Sequence, residues 1–443
     1  MSRYRNRLPK EPVTARIDGM SHEGRGIAHV DGRAVFITNA LVGETVAFQY
    51  TKRNRKKAEG RTVEVVEAAP ERVAPGCAHF GVCGGCSLQH LPPEAQIRYK
   101  QDVLAEQFRH MGGVNPARWL PPLTGPVWGY RRKARLAVKF VPGKGNRVLV
   151  GFREKHSPFV ADLERCPVLD PRVGERLPEL AALVQSLSIY DRVPQVEVAA
   201  GDTQVGLVFR NLSPFSADDR ACLENFAREH GFCIYEQPGN ETTVAPVYPA
   251  NPRLSYVLPE HDVEIEFQPT DFTQVNAEIN RRMVDRALDL MEPGAEERVL
   301  DLFCGLGNFT LPIARRCRVA VGIEGAGALV ERGRENAEVN GVGNAVFHTA
   351  DLTRDHSGAE WWGGDFDKAL LDPPRSGAAE VLPALAATGA RRIVYVSCGP
   401  ATLARDAGLL VNRHGYRLTA AGVMDMFPHT AHVESMAVFD LDE

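Results

Sequence analysis

The chain has 443 residues, nine cysteines and 52 basic against 56 acidic side chains, a net charge of −4. At roughly 150 residues per domain this length predicts about three domains. With 44% hydrophobic and 24% charged residues, the composition excludes a fibrous or largely disordered chain. No run of 18 apolar residues occurs, which excludes a transmembrane helix, and no apolar stretch follows the basic start Met1-Ser2-Arg3-Tyr4-Arg5, which excludes a secretory leader. The expectation is a cytoplasmic protein without membrane contact, whose clustered thiols bind metal or do chemistry rather than form disulfides.

The net charge hides an asymmetry. Residues 1–70 hold 13 basic and 8 acidic side chains, residues 128–155 hold nine basic against Glu154 alone, and residues 271–443 hold 17 against 25. Basic blocks joined to an acidic one suggest different partners for different domains, with a phosphate backbone as the polyanion for the basic ones.

In chain order, residues 1–69 read as a small RNA-binding β-barrel. Short alternating strands are expected at Val13–Asp18, Gly24–Ala28, Ala34–Ile37, Thr45–Tyr50 and Arg61–Val66, with the basic run Lys52-Arg53-Asn54-Arg55-Lys56-Lys57 as a hairpin loop. Residues 70–268 form a mixed α/β central domain. It opens with a Pro-, Gly- and Cys-punctuated loop and a helix over 94–111, with Ile97, Leu104, Phe108 and Met111 on one face, that packs on the catalytic domain. A proline-rich connection follows around 116–126. Residues 269–443 alternate helices with the strands Arg298–Phe303, Val319–Glu324, Ala345–Ala350, Lys368–Leu371 and Arg392–Ser397, then end in a hairpin of Tyr416–Val423 and Val433–Asp440. That alternation predicts an α/β, Rossmann-like domain with helices on both faces of a parallel sheet and an antiparallel pair at its end.

Asp301-Leu302-Phe303-Cys304-Gly305-Leu306-Gly307-Asn308-Phe309-Thr310 follows a strand and opens a helix, so its glycines let the backbone approach a ligand at the strand's carboxyl end. Glu324 ends the next strand at the spacing of an acid that takes ribose hydroxyls. Asp351 and Asp372 end the third and fourth strands, giving four successive strands that each end in an acid. The spacing permits a dinucleotide or S-adenosylmethionine, and Thr310 in place of the third glycine weakens the dinucleotide reading.

Past the fifth strand stands Cys398, in Ser397-Cys398-Gly399-Pro400. A helix opening at Pro400 would lower the thiol's pKa and favour the thiolate. Glu434 begins the last strand near the same sheet edge. A thiol nucleophile and a carboxylate facing a methyl donor suit pyrimidine C5 methylation. The thiolate adds to carbon 6, carbon 5 takes the methyl group, a base removes the carbon-5 proton, and elimination frees the cysteine. The target base must also leave its stack.

Cys77, Cys83 and Cys86 lie in one loop, and Cys166 precedes Pro167 far downstream. Four soft donors suit an iron–sulfur cluster or tetrahedral zinc, and the lack of a second C-x2-C pair favours a [4Fe–4S] cluster. Cys222, Cys233, Cys304 and Cys317 are expected as core thiols.

The segments Asp271–Asn276, Leu302–Pro312, Leu371–Gly377, Ser397–Leu403 and Asp425–Met436 resemble the RNA uracil-C5-methyltransferases, and with a TRAM-like barrel and the four cysteines the whole chain resembles the 23S ribosomal RNA members. The resemblance implies a class I methyltransferase domain, with Cys398 as nucleophile and Glu434 as base. It implies a [4Fe–4S] cluster on Cys77, Cys83, Cys86 and Cys166. It further implies an S-adenosylmethionine site of Gln274, Phe303, Asn308, Glu324, Asp351 and Asp372, contact of Phe272 with the target base, 23S ribosomal RNA as partner, and no protein partner. Gly399 departs from the family, which often has Asn there. The alternatives are a transfer-RNA uracil methyltransferase, whose members generally lack the barrel and the cluster, an N6-adenine or amine methyltransferase using Asp372-Pro373-Pro374, and a non-catalytic iron–sulfur RNA binder.

Overall fold

The computed structural model describes residues 8–54, 57–354, 358–362 and 365–442. The chain divides into two compact units. One comprises residues 1–100, 152–161 and 427–432; the other comprises 101–151, 162–426 and 433–443. Among the described residues no helix is long and apolar enough to cross a membrane.

The first unit contains the expected barrel. Val13–Arg16, Thr45–Arg53, Ala58–Glu67, Arg33–Thr38, Gly26–Val30 and Gly19–Met20 neighbour one another in that order. The chain from Val13 to Met20 pairs with Thr45–Phe48 at one end and Gly26–Ile27 at the other, which closes the sheet on itself. Alternation turns Val46, Phe48 and Tyr50 into a core with Ile17, Ala28, Val35 and Ile37. Of the basic hairpin loop, Arg55 and Lys56 lie outside the described residues, as does the basic start of the chain. The cysteine loop is irregular, as expected. It is held by a few backbone bonds, such as Cys83 N to His79 O (2.9 Å), Gly84 N to Arg153 O (2.8 Å) and Lys155 N to Val82 O (2.8 Å).

The second unit holds two large sheets and the two-stranded hairpin Leu254–Leu258 with Val263–Phe267. The central one runs Ala245–Tyr248, Phe232–Gln237, Val205–Arg210, Gln195–Ala200, Lys133–Val141, Arg147–Gly151. The other begins with five parallel strands, in the order Ala345–Thr349, Val319–Glu324, Arg298–Leu302, Lys368–Leu371, Arg392–Ser397. It continues antiparallel with Glu434–Leu441, then Tyr416–Met424. The terminal hairpin is therefore folded back, with its second strand inserted beside the fifth parallel strand. The edge is not the hairpin, as the sequence reading had it, but Arg118–Trp119, from the stretch read as irregular. Pro116 before it and Pro121 and Pro122 after it hide so short a strand from any periodicity.

The helix expected over 94–111 is α-helical over Pro93–Gln107 and ends in a wider turn, Phe108–Gly112. Gly112 packs on the helix Pro400–His414: a Cβ there would stand 2.5 Å from the Ala404 carbonyl oxygen, so only glycine allows the approach. The helix Ala277–Met291 is capped by Asn276, whose Oδ1 accepts from Ile279 N at 3.2 Å, and buries Ile279, Met283, Val284, Ala287, Leu288 and Met291 at helical spacing.

Candidate active site

A cavity of about 580 Å³ opens at the carboxyl ends of the parallel strands. Its lining includes Phe272, Gln274, Phe303, Asn308, Glu324, Asp351, Asp372, Cys398 and Glu434, so the structure brings these sequence-derived candidates together.

The glycine loop forms the floor. Phe303 adopts a left-handed backbone (φ 65°), as do Gly305 (54°) and Gly307 (89°), which turns the chain sharply out of the strand. Glu324 fastens this loop, its Oε2 accepting from Gly305 N (3.2 Å) and its Oε1 from Ala326 N (2.9 Å). The helix Gly327–Val339 begins at Ala326 with no side-chain cap, so Glu324 is not spent as one. Asp351 Oδ1 accepts from Thr353 N (3.1 Å) and Oγ1 (2.6 Å), which holds its carboxyl below the usual range. Asp372 faces the Gln274 amide at 3.5 Å, and burial pushes its pKa up to about 7.

One acid of the expected four does not face the cavity. Asp301 lies inside its strand, fully buried, with Oδ2 accepting from Thr310 Oγ1 at 2.5 Å, and burial raises its pKa to about 8. Thr310, which stands where a dinucleotide fingerprint has glycine, thus has a structural use for its hydroxyl. The sequence reading missed Tyr256 and Asn280. Tyr256, from the hairpin strand Leu254–Leu258, donates to Asn308 Oδ1 (2.9 Å), and Asn280 exchanges two amide bonds with Asn308 at 3.0 Å. No motif marks a tyrosine whose role is set by a hairpin closing over a loop far along the chain.

Cys398 and Glu434 are juxtaposed by strand register. Ser397 pairs with Ser435 in the antiparallel ladder, so one step further puts Cys398 opposite Glu434. Cys398 is half-buried and Glu434 buried. The thiol's pKa is not lowered, contrary to the expectation from the helix at Pro400. Burial pushes it up to about 11, the Glu434 and Asp372 carboxylates add to this, and only Arg375 opposes it among the nearby charges. Desolvation and two anions outweigh one helix terminus.

The cysteine set is a contrast. Cys77, Cys83, Cys86 and Cys166 are all half-buried, the first three in one unit and Cys166 in the other. Among the described residues no group of three or more His, Cys, Asp or Glu side chains is gathered to hold a metal ion. The chemistry of the loop's own three thiols nonetheless suits iron: they are soft donors, a Gly85 N–H points at Cys83 Sγ (3.4 Å), and the Lys155 ammonium is within electrostatic reach of Cys86 and Cys83. Cys233, Cys304 and Cys317 are buried as expected, while Cys222 is half-buried.

Comparison with known proteins bears on this site. A protein from Alkalilimnicola ehrlichii named 23S rRNA (uracil(1939)-C(5))-methyltransferase RlmD is 68% identical over 442 residues, 99% of each chain. The chain belongs to the 23S rRNA (uracil-C5)-methyltransferase family. A second member, from Methylococcus capsulatus, is 54% identical over 98% of each chain. Family models described as TRAM domain and tRNA (Uracil-5-)-methyltransferase match residues 9–63 and 254–440. The crystal structure of Pyrococcus abyssi tRNA (uracil-54, C5)-methyltransferase with S-adenosyl-L-homocysteine shares the fold, with a TM-score of 0.74 at 24% identity over 96% of this chain and 99% of that one.

Proposed function

We propose that this member of the family methylates carbon 5 of a uracil in 23S ribosomal RNA, the uracil its curated relatives are named for, with S-adenosylmethionine as methyl donor. The observation that carries the reading is the facing of Cys398 and Glu434 at the end of one cavity whose other end is a glycine loop flanked by Glu324, Asp351 and Asp372. Glu324 and Asp351 suit the donor's ribose hydroxyls and adenine amino group, and Asp372 with Gln274 its charged amino-acid end. Asn308 and Phe303 shape the floor. Phe272, 70% exposed at the mouth, suits a base turned out of its stack.

The Cys398 sulfur bonds to uracil carbon 6, and the electron pair of the 5,6 double bond moves onto the ring as an enolate. Carbon 5 then attacks the donor methyl group, whose carbon–sulfur bond breaks. Glu434 takes the carbon-5 proton, the double bond re-forms and the thiolate leaves. A thiol with a pKa of about 11 must lose its proton before or as it attacks. Burial, with the Glu434 and Asp372 carboxylates adding to it, keeps the resting thiol neutral, and a cationic donor in the cavity favours the attacking thiolate.

The cysteine quartet as ligands of a [4Fe–4S] cluster is part of this proposal, supported by the donor chemistry. No catalytic step runs through it. The boundaries 1–69, 70–268 and 269–443 are proposed as RNA-binding, cluster and catalytic segments, and the enzyme as acting in the cytoplasm.

The test is a covalent trap. RNA carrying 5-fluorouridine leaves no proton for Glu434 to remove, so the intact enzyme with donor is expected to form a denaturation-resistant adduct. Cys398→Ala is expected to form none and to transfer no methyl group. A transferring Cys398→Ala enzyme overturns the mechanism and leaves a non-covalent methyltransferase. Failure of the intact enzyme to methylate any RNA favours the non-catalytic binder.

A further inference from the structure

Two cations of the basic block 128–155 are spent inside the protein. The Arg132 guanidinium pairs with Asp202, which also holds Arg281 (2.9 Å). Lys133, at the start of the strand Lys133–Val141, donates from Nζ to the carbonyl oxygens of Pro269 (3.1 Å) and Asp271. Those carbonyls stand at the root of the loop that carries Phe272 and Gln274. Arg332, on the helix Gly327–Val339, grips the same root from another side. Its Nε faces Asp271 Oδ2 at 2.6 Å and its Nη2 donates to Oδ1 at 3.0 Å. Asp271 Oδ2 also accepts from Gln268 N (2.6 Å), and Arg132 N donates to Val275 O (2.8 Å) at the loop's far end.

Apart from a backbone bridge between Arg131 and Asn276 at its far end, the loop lies outside the strands, so these side chains add positional restraint that a sheet would otherwise give. A half-buried ammonium is costly to keep, and desolvation lowers the Lys133 pKa to about 8 despite Asp271 and Glu197 nearby. An apolar side chain would fill the space at lower cost but offer the two carbonyls no donor.

We propose that Lys133 and Arg332 are positioning residues that set where Phe272 and Gln274 stand over the cavity. They act through the loop root and touch neither substrate. This rests on the reading of the cavity as the donor and uracil site.

The test compares Lys133→Met, Lys133→Arg and Arg332→Met with the intact full-length enzyme. It measures thermal melting, calorimetric binding of S-adenosylhomocysteine and single-turnover methylation of a ribosomal RNA fragment. Lys133→Met is expected to slow the single turnover by about tenfold to a hundredfold, as an ångström-scale misplacement does. Lys133→Arg, which keeps donors for both carbonyls, is expected to restore most of the rate. A wild-type rate in Lys133→Met, or a loss that Lys133→Arg does not reverse at equal thermal stability, overturns the proposal. Should Lys133→Met not fold, Arg332→Met carries the test, with a similar slowing expected and an unchanged rate overturning it. Failure of the underlying reading is visible separately, as methyl transfer by Cys398→Ala.

Discussion

The cavity and the cysteine loop carry the two densest signals in the sequence, yet only the cavity's residues are brought together. Glu324, Asp372, Cys398 and Glu434 stand at or just past strand ends, and the ladders fix their spacing whatever is bound. Cys77, Cys83 and Cys86 hang on an irregular loop with few backbone bonds. As the proposed cluster ligands, they would take their final geometry only as the metal binds. Regular structure preorganises chemistry, whereas a loop waits for its ligand.

The contrast breaks most visibly at Glu434. Glu434→Gln leaves Cys398 in register, so adduct formation with ordinary uridine RNA is expected to persist while release slows by about 10²–10⁴-fold, as for a lost general base. Denaturing gels would show methylated adduct accumulating. Equal slowing of adduct formation and release would instead make Glu434 a structural support for the thiol. On the loop side, Cys83→Ser is expected to lose iron and lower the melting temperature by about 5–10 °C, since metal binding is folding energy there. Iron and sulfide analysis of anaerobically prepared protein checks this. Iron-free intact protein, or iron retained in the variant, removes the cluster from the account.

The same contrast explains what was legible in the sequence. The five parallel strands and the hairpin were readable because short apolar runs ended in glycine, proline or an acid, and these boundaries agree within a residue or two. Arg118–Trp119 was not, because two residues among prolines carry no period. Asp301 counts in the sequence as one of four strand-end acids, but sequence marks a strand's end and not which neighbours cover it. The raised pKa of Cys398 was also illegible. It comes from burial and from carboxylates at 372 and 434, a tertiary sum that a local helix rule cannot contain.

A smaller effect sharpens the electrostatics of the cavity. Burial keeps Asp372 protonated below about pH 7, and a cationic donor beside it favours the anion. Binding below that pH therefore releases a proton, so donor affinity is expected to rise by up to about tenfold per pH unit from 6 to 7 and level off above 8. Asp372→Asn is expected to flatten this slope and weaken binding at pH 8. An affinity independent of pH in the intact enzyme would show that Asp372 is already ionised or lies away from the donor's charge.

The smallest effect tests whether strand-held groups tolerate change beside them. Gly399 caps the helix after Cys398 at φ −132°, a conformation open to any residue, and lends no side-chain bond to the first turn. Asparagine there would add a cap, worth a few tenths of a kcal/mol over glycine. Its Cβ, however, would stand 2.6 Å from Thr402 Oγ1, which must rotate away and give up its 3.0 Å bond to the Gly399 carbonyl. The two nearly cancel, so Gly399→Asn is expected to shift stability by less than about 0.5 kcal/mol and leave the thiol where register puts it. A large rate change in this variant, measured by single turnover at unchanged melting temperature, would mean that the side chain at 399 reaches the reacting base. Sheet geometry would then not be the whole of what positions the nucleophile.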